Sequence, residues 1–116
     1  MPRMSKSSIT IDPFASPEAL RLHPGVILRE EYLAPLEMSA SELARHLGVP
    51  PNRITAILNE RRGITADTAW RLALYWGTTA HYWMNLQRSF DLAKAWIGNG
   101  VRIQREVVSR TNREAA

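Results

Sequence analysis

Residues 39–62 read SASELARHLGVPPNRITAILNERR. Two helices and the turn between them are legible in that stretch. Ser39 and Glu42 stand in the S-x-x-E spacing of a capping box, with Met38 and Leu43 placed to close a hydrophobic staple around it. The helix so started runs ASELARHL and stops at Gly48, a residue suited to the left-handed conformation just past a helix end. Val49-Pro50 intervenes, and Pro51 opens the next helix where a missing N–H costs nothing. That helix reads PNRITAILN and stops near 59–62, ahead of Gly63. Leu43, Ala44 and Leu47 share one face of the first helix, and Ile54, Ile57 and Leu58 one face of the second. A short glycine-containing turn between two such helices predicts a helix-turn-helix. Ala44 is small where the helices must approach, and Val49 can plug the joint.

The faces left over carry the chemistry. With Ile54, Ile57 and Leu58 inward, Asn52, Ala56 and Asn59 point outward, flanked by Arg53 and Thr55. Asn can bond adenine bidentately, Arg can bond guanine, and Ala or the Thr methyl can meet a thymine methyl. Asn52 and Arg53 lie at the N-terminal end, which in such helices reaches the bases. The competing reading is a solvated polar face on an ordinary helical hairpin. Around this ridge, Arg61 and Arg62 follow the second helix, while Arg45 and His46 lie on the first, which crosses the backbone in such motifs. Ser39 and Ser41, with the free amides of the helix start, can add neutral phosphate bonds. Arg45 either meets phosphate or pairs with Glu42, its i−3 neighbour. For Arg61 and Arg62 a solvated turn is the alternative.

Outward from this unit, every signal is helical. His23-Pro24-Gly25 opens a helix running VILREEYL that stops before Pro35. Thr65 caps ADTAWRLALYW, which ends at Gly77, and Thr78 or Thr79 caps AHYWMNLQRSFDLAKAW, ended by Gly98-Asn99-Gly100. The expected fold is all-α, a domain of five helices over residues 23–97. Residues 1–22, rich in Ser and Pro, read as a flexible arm with one docked turn at Pro17–Leu22. Residues 98–116 read as a tail, either a short helix or loose. Ile9 with Ile11, and Val101 with Ile103, alternate as strands do but are too short to form a sheet.

Composition narrows the function. In 116 residues, 15 Lys+Arg against 11 Asp+Glu give a formal charge of +4, a balance that favours an anionic partner. There is no cysteine, which removes thiolate metal sites and thiol nucleophiles. His23, His46 and His81 are widely separated and show no ligand spacing, so no metal and no cofactor is expected; His23 instead helps start the first helix. Glu30-Glu31 and Glu37 read as solvated, and neither a Gly-rich phosphate loop nor a nucleophile motif appears, so no enzyme is expected. The start MPRMSKSSIT lacks an apolar core, and no apolar run reaches the roughly 18 residues of a membrane span. The expected location is cytoplasmic. Trp76, with Ala69, Leu72 and Ala73, and Trp83, with Leu86, Phe90 and Ala93, fall on core stripes. Arg71 lies opposite the core stripe of its helix, where a structural ion pair is expected. Trp70 and Leu74 form a second apolar face on the fourth helix, as Met84 and Leu92 do on the fifth. Either pair marks a dimer or partner contact, or is covered by neighbouring tail residues.

Taken together, HPGVILREEYLAPL, SASELARHLGVPPNRITAILNERRGIT, ADTAWRLALYWGTT and YWMNLQRSFDLA resemble the HigA-type antitoxins, within the wider lambda-repressor-like, XRE-type group of helix-turn-helix regulators. The resemblance covers about His23 to Ala95, and its most specific parts are HPG, LNERRGIT and YWMNLQ–FDL. It implies a five-helix domain that dimerises on a palindromic operator of double-stranded DNA in its own promoter and represses it. It also implies a partner, a small basic ribosome-dependent mRNA-cleaving toxin that the chain neutralises; a stand-alone regulator without a toxin is the alternative. Carried over residue by residue, it makes Pro51–Asn59 the recognition helix, with Asn52, Arg53, Thr55 and Ala56 at the bases. This chain departs at Pro50-Pro51, where the family often has a Ser or Thr cap and an Arg.

Overall fold

A computed structural model describes residues 22–111, and among these there is no strand. Five helices pack around one core. The first, α1, covers residues 24–36 in three pieces: a regular turn Pro24–Ile27, a widened turn Leu28–Leu33 with five-residue bonds, and Ala34–Leu36. It is followed by α2 (Ala40–Leu47), α3 (Pro51–Leu58), α4 (Ala66–Trp76) and α5 (Ala80–Glu106). The arm proposed for residues 1–22, with Ile9, Ile11 and nearly all of its docked turn, lies outside the described residues, as does the end of the tail.

HPG proves to be a helix start with a built-in contact. The Gly25 amide donates to Nδ1 of His23 at 2.9 Å, and Pro24 follows as the first helical residue. His23 is buried against Phe90, ring centroids 4.8 Å apart and edge-on. A Cβ on Gly25 would stand 2.0 Å from the carbonyl oxygen of Ile57, so only glycine lets α1 press against the backbone of α3.

Contrary to expectation, α1 does not stop before Pro35. The Ala34 amide reaches back five residues to the Arg29 carbonyl, and this widened turn spreads the carbonyls that a proline in a regular helix would clash with. The chain leaves α1 through Glu37, a non-glycine residue in the left-handed region (φ 52°).

The three caps fall where the sequence placed them. Ser39 accepts from the Glu42 amide at 3.0 Å, Thr65 from the Thr68 amide at 3.4 Å, and Thr79 from the Tyr82 amide at 3.0 Å. Gly48 and Gly77 end α2 and α4 in the left-handed conformation, φ 72° and 73°. Leu28, Leu33, Leu43, Leu47, Ile54, Ile57, Ile64 and Leu72 fill the core, with Trp83 fully buried and its indole N–H donating to the Thr78 hydroxyl at 2.8 Å. Trp76 is half-buried and packs on this core beside Tyr32. Val49 is buried in the α2–α3 joint, as expected.

A second correction concerns α5, which runs unbroken through Gly98-Asn99-Gly100 to Glu106. Neither glycine takes a positive φ. Gly100 is buried against the Trp96 ring, 3.1 Å from where a Cβ would sit, and so serves a close approach rather than a stop. Val101 and Ile103 are therefore helical.

Candidate nucleic-acid interface

The α2–α3 pair is the helix-turn-helix, and its recognition helix α3 presents the expected side chains unequally. Asn52, Thr55 and Asn59 are exposed, while Arg53 and Ala56 are half-buried on the flanks of that ridge. The Thr55 hydroxyl donates to the Pro51 carbonyl one turn back, at 3.2 Å, leaving its methyl as the free feature. With Pro50 at the N-cap, no side chain among the described residues caps this helix; Pro51 has no amide hydrogen to satisfy, and the Arg53 amide donates to the Pro50 carbonyl at 3.0 Å.

Arg53 is the most constrained of these residues. Its Nη1 donates to Oδ2 of Asp67 on α4 at 3.2 Å, and its Nε is buried with no acceptor among the described residues. Asp67 receives a second, shorter bond from Nε of Arg71, 2.8 Å away and one turn along α4. The Arg71 hydrogen bond, followed by the charges of Arg71 and Arg53, holds the Asp67 carboxyl below its ordinary value despite some desolvation. Arg71 also donates from Nη1 to the Leu47 carbonyl at 2.9 Å, tying α4 to the end of α2. The structural ion pair expected of Arg71 is thus present, with the added work of capping.

The rim residues lie around this face. Ser39 is occupied as a cap, Ser41 and Arg45 are exposed, and His46 stacks on Tyr75 with ring centroids 5.1 Å apart. Beyond α3 the chain turns through Glu60 (φ 60°), with the Arg61 amide bonded to the Ala56 carbonyl at 2.9 Å, and delivers Arg61 and Arg62 exposed. Of the apolar pairs, Trp70 and Met84 meet across a shallow pocket with Ala66, Ala80 and His81. Leu74 lies in a second hollow beside His46 and Tyr75, and Leu92 is half-exposed on α5.

Two residues that hold this interface were not read from the sequence. Gln87 is buried, its Oε1 accepting from the Ile64 amide at 2.7 Å and its Nε2 donating to Asp91 at 2.9 Å. It anchors the loop after the recognition helix, and Gly63 is bare because a Cβ would sit 2.8 Å from the Gln87 amide group. Arg29 donates to the Leu58 carbonyl at the end of α3. A polar residue one turn along from Trp83 on the core stripe of α5 was the available signal for Gln87; Arg29, among charged neighbours, gave none.

The helix-turn-helix family profile matches residues 28–83. Virulence-associated protein I of Dichelobacter nodosus is 52% identical over 83 residues, spanning 72% of this chain and 77% of its own length. The fold of an addiction module antidote protein of a HigA family from Coxiella burnetii superposes with a TM-score of 0.72 at 52% identity, over 75% of this chain and 95% of that one. The chain belongs to the HigA family of helix-turn-helix proteins. A Pseudomonas aeruginosa antitoxin HigA, solved with the higBA promoter, is similar too: TM-score 0.74 at 44% identity, over 76% of this chain and 96% of that one. This HigA-family chain is a DNA-binding regulator, and the stretch matched by the family profile, residues 28–83, contains both of its helix-turn-helix helices.

Among the described residues no helix is long and apolar enough to cross a membrane, and no cluster of His, Asp or Glu is arranged to hold a metal ion.

Proposed function

We propose that the chain works as a homodimeric repressor of its own operon and as the antitoxin that neutralises a small basic mRNA-cleaving toxin encoded beside it. Two recognition helices set into half-sites of a palindromic operator about one helical turn apart, roughly 34–36 Å, would occlude the promoter. Asn52, Thr55 and Ala56, with Arg53 at the helix start and Asn59 at its end, read base edges. Ser39, Ser41, Arg45, Arg61 and Arg62 position the module on phosphates.

The observation that carries this reading is the exposed Asn52–Thr55–Asn59 ridge on the second helix of the pair, bordered by exposed arginines. The promoter-bound Pseudomonas relative supports the operator, and the Coxiella relative, an addiction module antidote protein, supports the toxin. The exposed Trp70, Leu74, Met84 and Leu92 supply apolar surface for the second copy and the toxin.

Footprinting the chain on the DNA upstream of its own gene tests the first half; a protected inverted repeat is expected. Co-expression with the adjacent small basic protein tests the second. A stable complex that no longer cleaves mRNA is expected, whereas a footprint without any such complex would leave a regulator that has no toxin.

A further inference from the structure

The Asp67–Arg53 contact joins the start of the recognition helix to a helix outside the helix-turn-helix. Arg53 is the third residue of α3, where a side chain reaches toward bases, yet its side chain is only 26% exposed and its guanidinium is held by a carboxylate that is 60% exposed. That carboxylate is itself fixed by Arg71, whose other nitrogen is fixed by the Leu47 carbonyl. A continuous path of hydrogen bonds therefore runs from the end of α2, through α4, to the start of α3. It sets the position of one arginine.

We propose that Asp67 is a specificity-determining positioning residue for DNA recognition, holding Arg53 in the orientation that meets a base edge and withholding it from phosphates. The inference rests on the reading of α3 as the operator-reading helix. Two physical consequences follow from the geometry. An arginine already fixed in one rotamer loses less freedom on binding, which favours the sequence that fits it. Its positive charge is also partly neutralised by the carboxylate 3.2 Å away, and Asp67 adds a negative charge near the backbone of any DNA that approaches. Both weaken the sequence-independent attraction that dominates non-specific binding. Asp67 thus acts as a filter: it lowers the charge-driven attraction that every duplex shares, and only the correct site recovers that loss through the positioned Arg53.

The test is a double-mutant cycle on the full chain, with Asp67→Asn, Arg53→Gln and both together. Each is titrated on the footprinted upstream duplex and on a scrambled duplex of equal length at one salt concentration. Asp67→Asn keeps the shape of the side chain and its place in the first turn of α4, and thermal melts verify that each variant folds. The expected result is that Asp67→Asn weakens operator binding by about 3- to 10-fold and tightens scrambled-duplex binding, so that the preference falls by more than either change alone. In the Arg53→Gln background, Asp67→Asn should leave the preference unchanged, because the residue it positions is gone. A purely structural carboxylate would lower binding to both duplexes equally in both backgrounds, and that outcome overturns the proposal. An unchanged preference in the single Asp67→Asn variant overturns it as well, while leaving the operator reading intact. A native chain that does not discriminate the duplexes overturns the operator reading and the role of Asp67 together.

Discussion

Arg71 of α4 donates from Nη1 to the carbonyl oxygen of Leu47, 2.9 Å away at the last residue of α2. The final carbonyls of a helix have no partner within it, and a cation there also meets the negative end of the helix dipole. Arg29 does the same for Leu58 at the end of α3. The end of each helix of the pair is therefore tied by an arginine from outside the pair to the surrounding helices. Replacing Arg71 with Gln should lower stability by about 1 kcal/mol; hydrogen bonds to charged groups contribute more when buried, but this side chain is 41% exposed. Urea midpoints compared between the native chain and Arg71→Gln measure it, and coincident curves would show that the contact contributes nothing.

Gly25→Ala should be far more damaging than its single methyl suggests. The added carbon would meet the Ile57 carbonyl oxygen at 2.0 Å and its carbon at 2.9 Å, and backbone cannot swing aside as a side chain can. Overpacking of this kind costs typically about 1–3 kcal/mol, and here the upper end applies. Gly98→Ala is the control: nothing lies within 4 Å of that position, and alanine in an exposed helix interior should stabilise by about 0.5–1 kcal/mol. Thermal melts of the two variants should move in opposite directions; melts that move together would show that α1 can shift off α3.

The histidine cap predicts a pH dependence. Burial lowers the His23 pKa below its ordinary 6.5, outweighing the attraction of Glu60 and Asp91, and Nδ1 must stay unprotonated to accept from Gly25. The unfolded chain therefore binds a proton more readily than the folded one, and stability rises with pH across the window between the two pKa values. The contribution is complete above pH 6.5 and is lost as pH falls below it and through the folded value. His23→Asn retains a side-chain acceptor for the cap but does not titrate. Between pH 5 and 7, urea unfolding of the native chain should weaken on acidification more than that of His23→Asn, and parallel curves would place the titration elsewhere.

What could be read in the sequence was what local chemistry dictates. The Ser39 cap, the Pro51 start, the glycines at 48 and 77 and the apolar faces of α2 and α3 each depend on neighbours within a turn or two, and each took the expected form; of the capping box only the Ser39 half forms, with no return bond from the Glu42 side chain among the described residues. The departures arise where a helix accommodates a helix breaker within its own turn. Pro35 does not end α1, because the turn before it widens, and Gly100 does not end α5, because it packs on Trp96. At the interface, spacing placed Asn52, Thr55 and Asn59 on an exposed face, but Asp67 beside Arg53 is fourteen residues away in sequence and no periodicity links them. The same holds for Gln87 and Ile64, twenty-three residues apart, whose hydrogen bond joins the LNERRGIT and YWMNLQ segments.

The proposed dimer contact is tested on α5. Leu92 is 48% exposed, so Leu92→Glu places a charge on the surface of the monomer without disturbing its core. If α5 pairs with a second copy, burying that carboxylate unpaired should dissociate the dimer. Light scattering should report monomers while circular dichroism shows unchanged helicity. Should the variant stay dimeric while Trp70→Glu dissociates, the interface is instead the hollow that Trp70 and Met84 line together.

The basic rim can be separated from the reading helix by salt. Arg61 and Arg62 emerge exposed from the turn that closes α3, and each phosphate contact assigned to them in the proposed complex would release condensed counterions from the duplex. The slope of log affinity against log salt changes by about 0.9 per phosphate contact on duplex DNA. Replacing both with Gln should flatten that slope by up to roughly 2 units, since two contacts are removed together. The preference for operator over scrambled DNA should hardly change, because phosphate contacts position the protein without reading sequence. Both substitutions keep length and hydrogen-bonding ability, and neither position is buried, so the helices should remain intact. Titrations at several salt concentrations on operator and scrambled duplexes decide the matter. A slope equal to that of the native chain would mean that these two arginines do not face DNA, and the proposed toxin would then be the first partner to test against them.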